Sequence, residues 1–383
     1  MVWRSQSGYF AGRRARLRLS RDQKCDQGQN TPTPAVMQDL GTDKLLLLQA
    51  AFATGAQAET AWRLWQDRVP LDEIDAESQR TVPQLHLNMA ADTSVDSRVQ
   101  GLYRRAWYSN TLLLEQVRPL LDRLKANGVR AVASKQTAAV VKARACYPLD
   151  RFHLLVADRE VEQTMVTLRE MGWVSARPPA FAEAALRGIE FTRSGFLVQL
   201  SCAPAQDNGF FSRVERVESD AGMFEVPGHT DQLLEAAAPE RMWHYTSMYQ
   251  RLLETLIAIR FGKQEPDWSA VARIGATAGS TLPLADTLEY LARDFAVALP
   301  DGYLAALRHT PLVTPRQEEE YRLKRGAPSL WRRIRLSRLE YRSLKRLSAA
   351  RNESLSLVEY LKLRWNVSDM KGIVKHVVSL AKK

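Results

Sequence analysis

The chain has 383 residues, of which 45% are hydrophobic and 25% are charged. This length predicts two or three compact units, and the composition is typical of a globular protein with a buried core. The cysteines, Cys25, Cys146 and Cys202, are too few and too scattered for a disulfide framework or for a zinc site with paired ligand spacing. No apolar run approaches the roughly 18 residues of a membrane span. We therefore expect a cytoplasmic protein without a transmembrane segment.

The net charge of +11 is unevenly distributed along the chain. Residues 1–36 carry 7 basic and 2 acidic side chains, and residues 321–383 carry 17 basic and 4 acidic ones. The stretch between them, 37–320, has a net charge of −7. Because the basic residues are confined to the two ends, the pattern favours a tail that binds an anionic surface or partner. It does not favour a basic groove that recognises nucleic-acid bases. Specific nucleic-acid binding is accordingly not expected.

The first 41 residues predict a disordered basic extension. They are rich in Arg, Gln, Gly and Ser and include a Thr-Pro-Thr-Pro run at 31–34. Four arginines between 13 and 18 are also typical of an organelle presequence. A start site assigned too far upstream, with Met37 as the true start, is the favoured explanation.

A helical N-terminal region is predicted over 42–127. Apolar residues follow a 3.6-residue period from 42 to 52, and further helices are predicted from 61 and over 98–127. Proline lacks the N–H that a helix interior needs, so the last of these helices is predicted to break at Pro119.

A small α/β core is predicted over 128–230. A short β-branched segment, 129–133, precedes a helix at 135–145. A compact apolar strand at 152–156 then precedes a helix at 159–171. The tripeptide Arg193-Ser194-Gly195 separates two more apolar stretches, 189–192 and 196–200, which indicates a β-hairpin.

Two further regions complete the chain. Residues 231–320 predict a helical C-terminal region, with helices over 242–261 and 284–298 and a break at Pro-Asp-Gly, 300–302. Residues 321–383 predict a basic amphipathic helical tail, since Arg and Lys alternate there with Leu, Ile, Trp and Tyr.

Three segments carry a resemblance to a known family: Val-Gln-Gly-Leu-Tyr-Arg-Arg-Ala-Trp-Tyr-Ser-Asn at 99–110, Asp-Trp at 267–268, and Thr-Leu-Pro-Leu-Ala-Asp at 281–286. From about Asp43 to its C-terminus the chain resembles the uncharacterised bacterial nucleotidyltransferase family. The resemblance implies an α+β fold, in which a small nucleotidyltransferase-like mixed sheet with helices is flanked by helical N- and C-terminal regions.

The resemblance also implies a phosphate-binding turn before the first helix of the core. Family members have Leu-Lys-Gly there, so that backbone N–H groups can hold a phosphate. The matching residues are Lys135, Gln136 and Thr137. Because Gln136 replaces the glycine, a side chain occupies the place where close backbone approach is needed. Thr137 is predicted to cap the following helix.

The catalytic acids that the resemblance implies are all replaced. The family's Asp-apolar-Asp pattern points two carboxylates to one face of a strand, where they share divalent metals. Here Arg151 and His153 occupy those places, and Gln199 occupies the place of a third acid on a later strand. Magnesium needs hard oxygen ligands, and a guanidinium offers only donors and a positive charge. We expect no metal site and no cofactor.

Three readings follow. The leading interpretation is a catalytically degenerate nucleotidyltransferase that retains a pocket for a nucleotide or another anion. Lys135, Arg151 and His153 would bind that anion. The alternative is that these side chains merely pair with polar neighbours in a closed cleft. The second is an active enzyme that binds Mg²⁺ through displaced carboxylates, Asp150 and Glu190. The third is a peripheral protein whose 321–383 helices contact an anionic membrane surface, an acidic partner or RNA.

Overall fold

The computed structural model describes most of the chain between residues 40 and 381. The described residues are 40–89, 96–144, 146–176, 188–203, 209–238, 247–262, 265–278, 280–309, 318–319, 321, 323, 330–349, 356–365, 367 and 369–381. The predicted extension over 1–41, with Met37, lies outside them except for residues 40 and 41.

Seven strands form one mixed sheet in the middle of the chain. They are β1 (Val132–Ala133), β2 (Phe152–Val156), β3 (Val174–Ser175), β4 (Ile189–Arg193), β5 (Phe196–Cys202), β6 (Glu215–Ser219) and β7 (Gly222–Val226). Their order across the sheet is β3-β4-β5-β2-β1-β7-β6. The β2–β5 and β1–β7 pairs are parallel, and all other pairs are antiparallel.

The two faces of this sheet differ in polarity because side chains alternate along each strand. Leu154, Leu200 and Ile189 lie side by side on one face and belong to the main hydrophobic core. The neighbouring positions, His153, Gln199 and Glu190, therefore point to the opposite face. That second face carries a smaller apolar cluster of its own, formed by Val132, Leu155, Ala203 and Phe210.

The hairpin predicted around Ser194 and Gly195 is confirmed. Both residues have positive φ angles, 49° and 83°, and they connect β4 to β5 as a two-residue turn. Such a turn needs left-handed backbone at both central positions to match the twist of the strands. It fixes the register in which Glu190 lies opposite Gln199.

Helices precede the sheet and connect its first strands. They are α1 (Thr42–Phe52), α2 (Ala56–Gln66), α3 (Ala76–Gln79), α4 (Val82–Met89), α5 (Ser97–Ala126), α6 (Lys135–Lys142) and α7 (Val161–Glu170). The predicted break at Pro119 is wrong, because α5 continues through it. Proline has no N–H to donate to the Glu115 carbonyl, but Pro119 and Glu115 both face solvent. Val117 and Leu120 are fully buried and hold the helix against the core.

Helices also follow the sheet. They are α8 (His229–Ala237), α9 (Met248–Phe261), α10 (Trp268–Ala278), α11 (Thr281–Phe295), α12 (Tyr303–Arg308), α13 (Leu330–Ala349), α14 (Leu357–Trp365) and α15 (Met370–Ala381). The break predicted at 300–302 is present, and Gly302 there has a φ of 70°. Residues 242–246 of a predicted helix lie outside the described residues.

One continuous hydrophobic core extends from Leu48 on α1 to Leu307 on α12 and includes residues from the sheet. The protein is thus a predominantly helical mixed α/β protein, which confirms the prediction of a mixed sheet with flanking helices. Its nucleotidyltransferase-like arrangement stays a prediction. Strands β3, β6 and β7 were not expected from the sequence. Among the described helices, none combines the length and the apolar character that a membrane span needs.

Candidate functional site

Three polar side chains from adjacent strands form a row on the second face of the sheet. His153 on β2 lies opposite Gln199 on β5, and Gln199 lies opposite Glu190 on β4. Directly opposite residues project to the same face, and neighbouring strands are about 4.8 Å apart. The positions that the resemblance assigned to two metal-binding acids, 153 and 199, are therefore side by side.

Arg151 and the two candidate replacement carboxylates are already engaged in ion pairs. Arg151 pairs with Glu190. Asp150 pairs instead with Arg80, which also donates a hydrogen bond to the Tyr147 hydroxyl at 2.8 Å. The structure thus brings Arg151 and Glu190 together and directs Asp150 to a different partner.

Asn110 on α5 holds the segment that leads into β2. Its buried amide nitrogen donates to the carbonyl oxygens of Arg144 and Tyr147, both at 2.7 Å. Its amide oxygen accepts the backbone N–H of Leu149 at 2.9 Å. Since the amide saturates three backbone groups, it fixes the approach of residues 150 and 151 to the sheet.

The turn before α6 is bonded to β2 through the backbone of His153. The N–H of Ser134 donates to the His153 carbonyl at 3.0 Å, and the N–H of His153 donates to the Thr137 hydroxyl at 2.9 Å. The prediction that Thr137 caps α6 is wrong, because its hydroxyl faces the strand and serves as a bridge between helix and sheet. Ser134, at the N-cap position, makes no side-chain capping bond.

The N-terminus of α6 is occupied by a carboxylate of the chain itself. Glu235 on α8 accepts the backbone N–H of Lys135 through its Oε2 atom at 2.9 Å. This N–H is the kind of donor that binds phosphate at a helix N-terminus. Lys135 itself has a φ of 53°, so the left-handed position of the turn falls on the lysine and not on Gln136.

Gln136 directs its side chain to a second carboxylate. Its amide nitrogen donates to Glu254 on α9, and Gln250 donates to the same carboxylate oxygen at 2.7 Å. Burial raises the pKa of Glu254, and these two hydrogen bonds, together with the charges of Lys135 and Arg80, oppose that shift. A buried acid with a raised pKa holds its proton to a higher pH than an exposed one does.

A cavity of about 30 Å³ lies among these groups. Its lining comes from α6, α8, α9 and the segment before β2: Lys135, Gln136, Ala139, Tyr147, Gln232, Glu235, Ala236, Glu254, Ile257 and Ala258. A volume of this size holds about one or two water molecules.

The sequence did not point to Glu235 or Glu254. Each lies about 100 residues or more from its partner on α6, within a helix whose local pattern gives no sign of function. Glu235 and Glu254 lie on separate helices, and their spacing in the sequence matches no known ligand-binding motif either. Within the described residues, no three His, Cys, Asp or Glu side chains are grouped as a metal ion would require.

No protein-family model matches the chain, and no curated protein matches it. The nucleotidyltransferase resemblance therefore rests on the sequence segments given above.

We expect Gly188→Ala to lower the free energy of unfolding by about 3 kcal/mol or more. Gly188 has a φ of 80°, and a Cβ there would lie 2.7 Å from the Gln199 Cγ atom. Chemical denaturation measures the loss. The cost should shrink in part in a Gln199→Ala background, because one of two clash partners is then removed while the Ser201 Oγ atom, also 2.7 Å from the Cβ, remains.

Gly195→Ala is the matched control for this substitution. Gly195 has a similar φ of 83° but no atom within 4 Å of the added Cβ. It should cost only about 1–2 kcal/mol, the price of left-handed backbone. Equal losses at the two glycines would show that Gln199 does not press on position 188.

We expect Glu254→Gln to stabilise the protein at neutral pH. The folded state holds the proton of Glu254 more tightly than the unfolded state, so stability falls as pH rises above the ordinary glutamate pKa of 4.5. The amide removes this penalty, and its advantage should vanish below that pH. Thermal unfolding between pH 4 and pH 8, about one step per pH unit, measures the difference. The exposed Glu170→Gln variant is the control, and equal pH profiles for wild type and Glu254→Gln contradict the assignment.

Proposed function

We propose that this chain is a nucleotidyltransferase-fold protein that does not transfer nucleotides. The observation that carries the proposal is the pairing of both candidate replacement carboxylates with arginines, Glu190 with Arg151 and Asp150 with Arg80. Each pair engages one carboxylate oxygen, Asp150 Oδ2 or Glu190 Oε1, and places a guanidinium charge beside it. A divalent metal bound at either carboxylate would therefore have to compete with an arginine.

The chemistry of the three acid positions supports the same proposal. Two-metal transfer needs several carboxylate oxygens that converge on the ions. Position 151 holds a guanidinium, position 153 an imidazole and position 199 an amide that is 4% exposed. A positive charge at the first position repels the cation, and a single neutral nitrogen or oxygen at each of the others does not replace the lost charge.

The position of Glu235 supports the interpretation that the phosphate site is closed. Its carboxylate takes the Lys135 N–H that a phosphate oxygen would need, and it adds a negative charge where the ligand is an anion. A degenerate member could either keep an anion-binding pocket or have a closed cleft. We favour the closed cleft. The small cavity beside Gln136 fits this choice.

The direct test is pyrophosphate release from each of the four nucleoside triphosphates with and without Mg²⁺. We expect release no faster than in a protein-free control, and no change in Asp150→Asn or Glu190→Gln. Metal-dependent release that Asp150→Asn abolishes, and that the exposed Glu218→Gln leaves intact, would overturn the proposal in favour of an active enzyme with displaced carboxylates.

Calorimetry with inorganic triphosphate tests the closure by Glu235. Wild type should give no binding heat, and Glu235→Ala should bind at least about tenfold more tightly than the weakest affinity that the measurement detects, because a hydrogen-bond donor is set free and a repelling charge is removed. The exposed Glu170→Ala variant is the control for the loss of one negative charge. Binding by wild type that Glu235→Ala does not strengthen would show that the anion site is open.

A further inference from the structure

One side of α13 is exposed and carries both aromatic and cationic side chains. Exposed residues recur along it every three or four positions, which places them on a single face of the helix. We call this set the basic stripe: Trp331, Ile334, Arg335, Arg338, Arg342 and Lys345. Trp331 is 80% exposed and Ile334 is 48% exposed, which is unusual for large apolar side chains.

The other sides of α13 attach the helix to its neighbours. Leu339 is buried, and the Tyr341 ring lies 5.5 Å from the ring of Tyr360, which is fully buried on α14. On the exposed side, Arg335 of the basic stripe forms an ion pair with Glu319 at 2.5 Å. Because these contacts fix the rotation of the helix, the basic stripe is held outward.

A second exposed face lies on α15. Met370, Val374 and Val378 are 52%, 57% and 47% exposed and are spaced four residues apart, so they form a continuous apolar line. Exposed Lys371 and Lys375 flank that line. The inward side of the same helix carries buried Ile373. We call this face the apolar stripe.

Three of the four cations of the basic stripe, Arg338, Arg342 and Lys345, remain available to a partner. Arg338 and Arg342 make no ion pair with any residue in the described part of the chain. Lys345 lies over the Tyr341 ring, 6.0 Å from its centroid, which leaves its charge at the surface. The whole 321–383 segment carries 17 basic and 4 acidic side chains.

We propose that the basic stripe and the apolar stripe dock this protein onto the surface of an anionic lipid bilayer. A bilayer interface takes up exposed Trp, Ile, Val and Met at the level of the headgroups and attracts the adjoining cations through its negative surface potential. Nucleic acid offers no apolar layer for Met370, Val374 and Val378. A second copy of the chain that presents the same two stripes would meet like charge. The docking is independent of the proposed loss of transferase activity.

Co-sedimentation with lipid vesicles tests the proposal on the full chain. We expect binding to vesicles of equimolar phosphatidylcholine and phosphatidylserine and none to phosphatidylcholine alone. Arg338→Gln combined with Arg342→Gln should weaken partitioning about 25-fold, about fivefold for each cation removed. Trp331→Ala should weaken it about tenfold, and in wild type the tryptophan emission should shift to shorter wavelength on binding.

Substitutions of the same kind on α5 provide the matched control. Arg104, Arg105 and Trp107 are also exposed on a helix surface, so Arg104→Gln with Arg105→Gln, and Trp107→Ala, change charge and aromatic content equally. They should leave vesicle binding within about twofold of wild type. Equal losses from the α5 and α13 variants overturn the proposal, as does failure of wild type to bind the anionic vesicles. Binding to polyglutamate or to RNA, without binding to the vesicles, also overturns the proposal. It indicates an acidic protein partner in the first case and a nucleic acid in the second.

Discussion

The backbone of His153 is hydrogen-bonded to the turn before α6 through both its carbonyl oxygen and its N–H group. Much of the candidate site depends on this exchange. It fixes the start of α6 against β2, and so it determines where Lys135 and Gln136 project. From those positions the lysine N–H meets Glu235 and the glutamine amide meets Glu254. Since both hydrogen bonds use backbone atoms of residue 153, they do not depend on its side chain, and the scaffold keeps its shape with an imidazole in place of an acid.

The charges within the cleft are balanced by the chain itself. The resemblance implies that basic residues stand in the places of acids, and the expectation from the sequence was therefore a positively charged site. In the structure Arg151 faces Glu190, and Glu235 meets the positive end of α6. Ionic groups that are partly removed from water are costly unless they are paired. The two contacts thus offset the charge of Arg151 and the positive end of α6, although the partly exposed Arg151–Glu190 pair adds little to stability.

Local patterns predicted the local parts of this structure. The strand at 152–156 and the turn at 194–195 follow from a bounded apolar run and from a residue pair suited to left-handed backbone. The β6–β7 hairpin was missed because β6 is mostly Arg and Glu, and because only one apolar side chain of β6 and two of β7 are buried. Glu235 and Glu254 were missed for a different reason. Their partners lie far away in sequence, so only the packing of α8 and α9 against α6 reveals them.

The outward basic stripe of α13 also makes the molecule electrically asymmetric. Residues 321–383 have a net charge of +13 and residues 37–320 a net charge of −7, so these two parts contribute a dipole moment along the direction that joins them. Near a negatively charged surface such a dipole experiences a torque, and it turns its positive end inward before any contact forms. The effect reaches about one Debye length, roughly 8 Å at physiological ionic strength. Approach would therefore be selective in orientation, and the acidic body with its cleft would be held away from the surface.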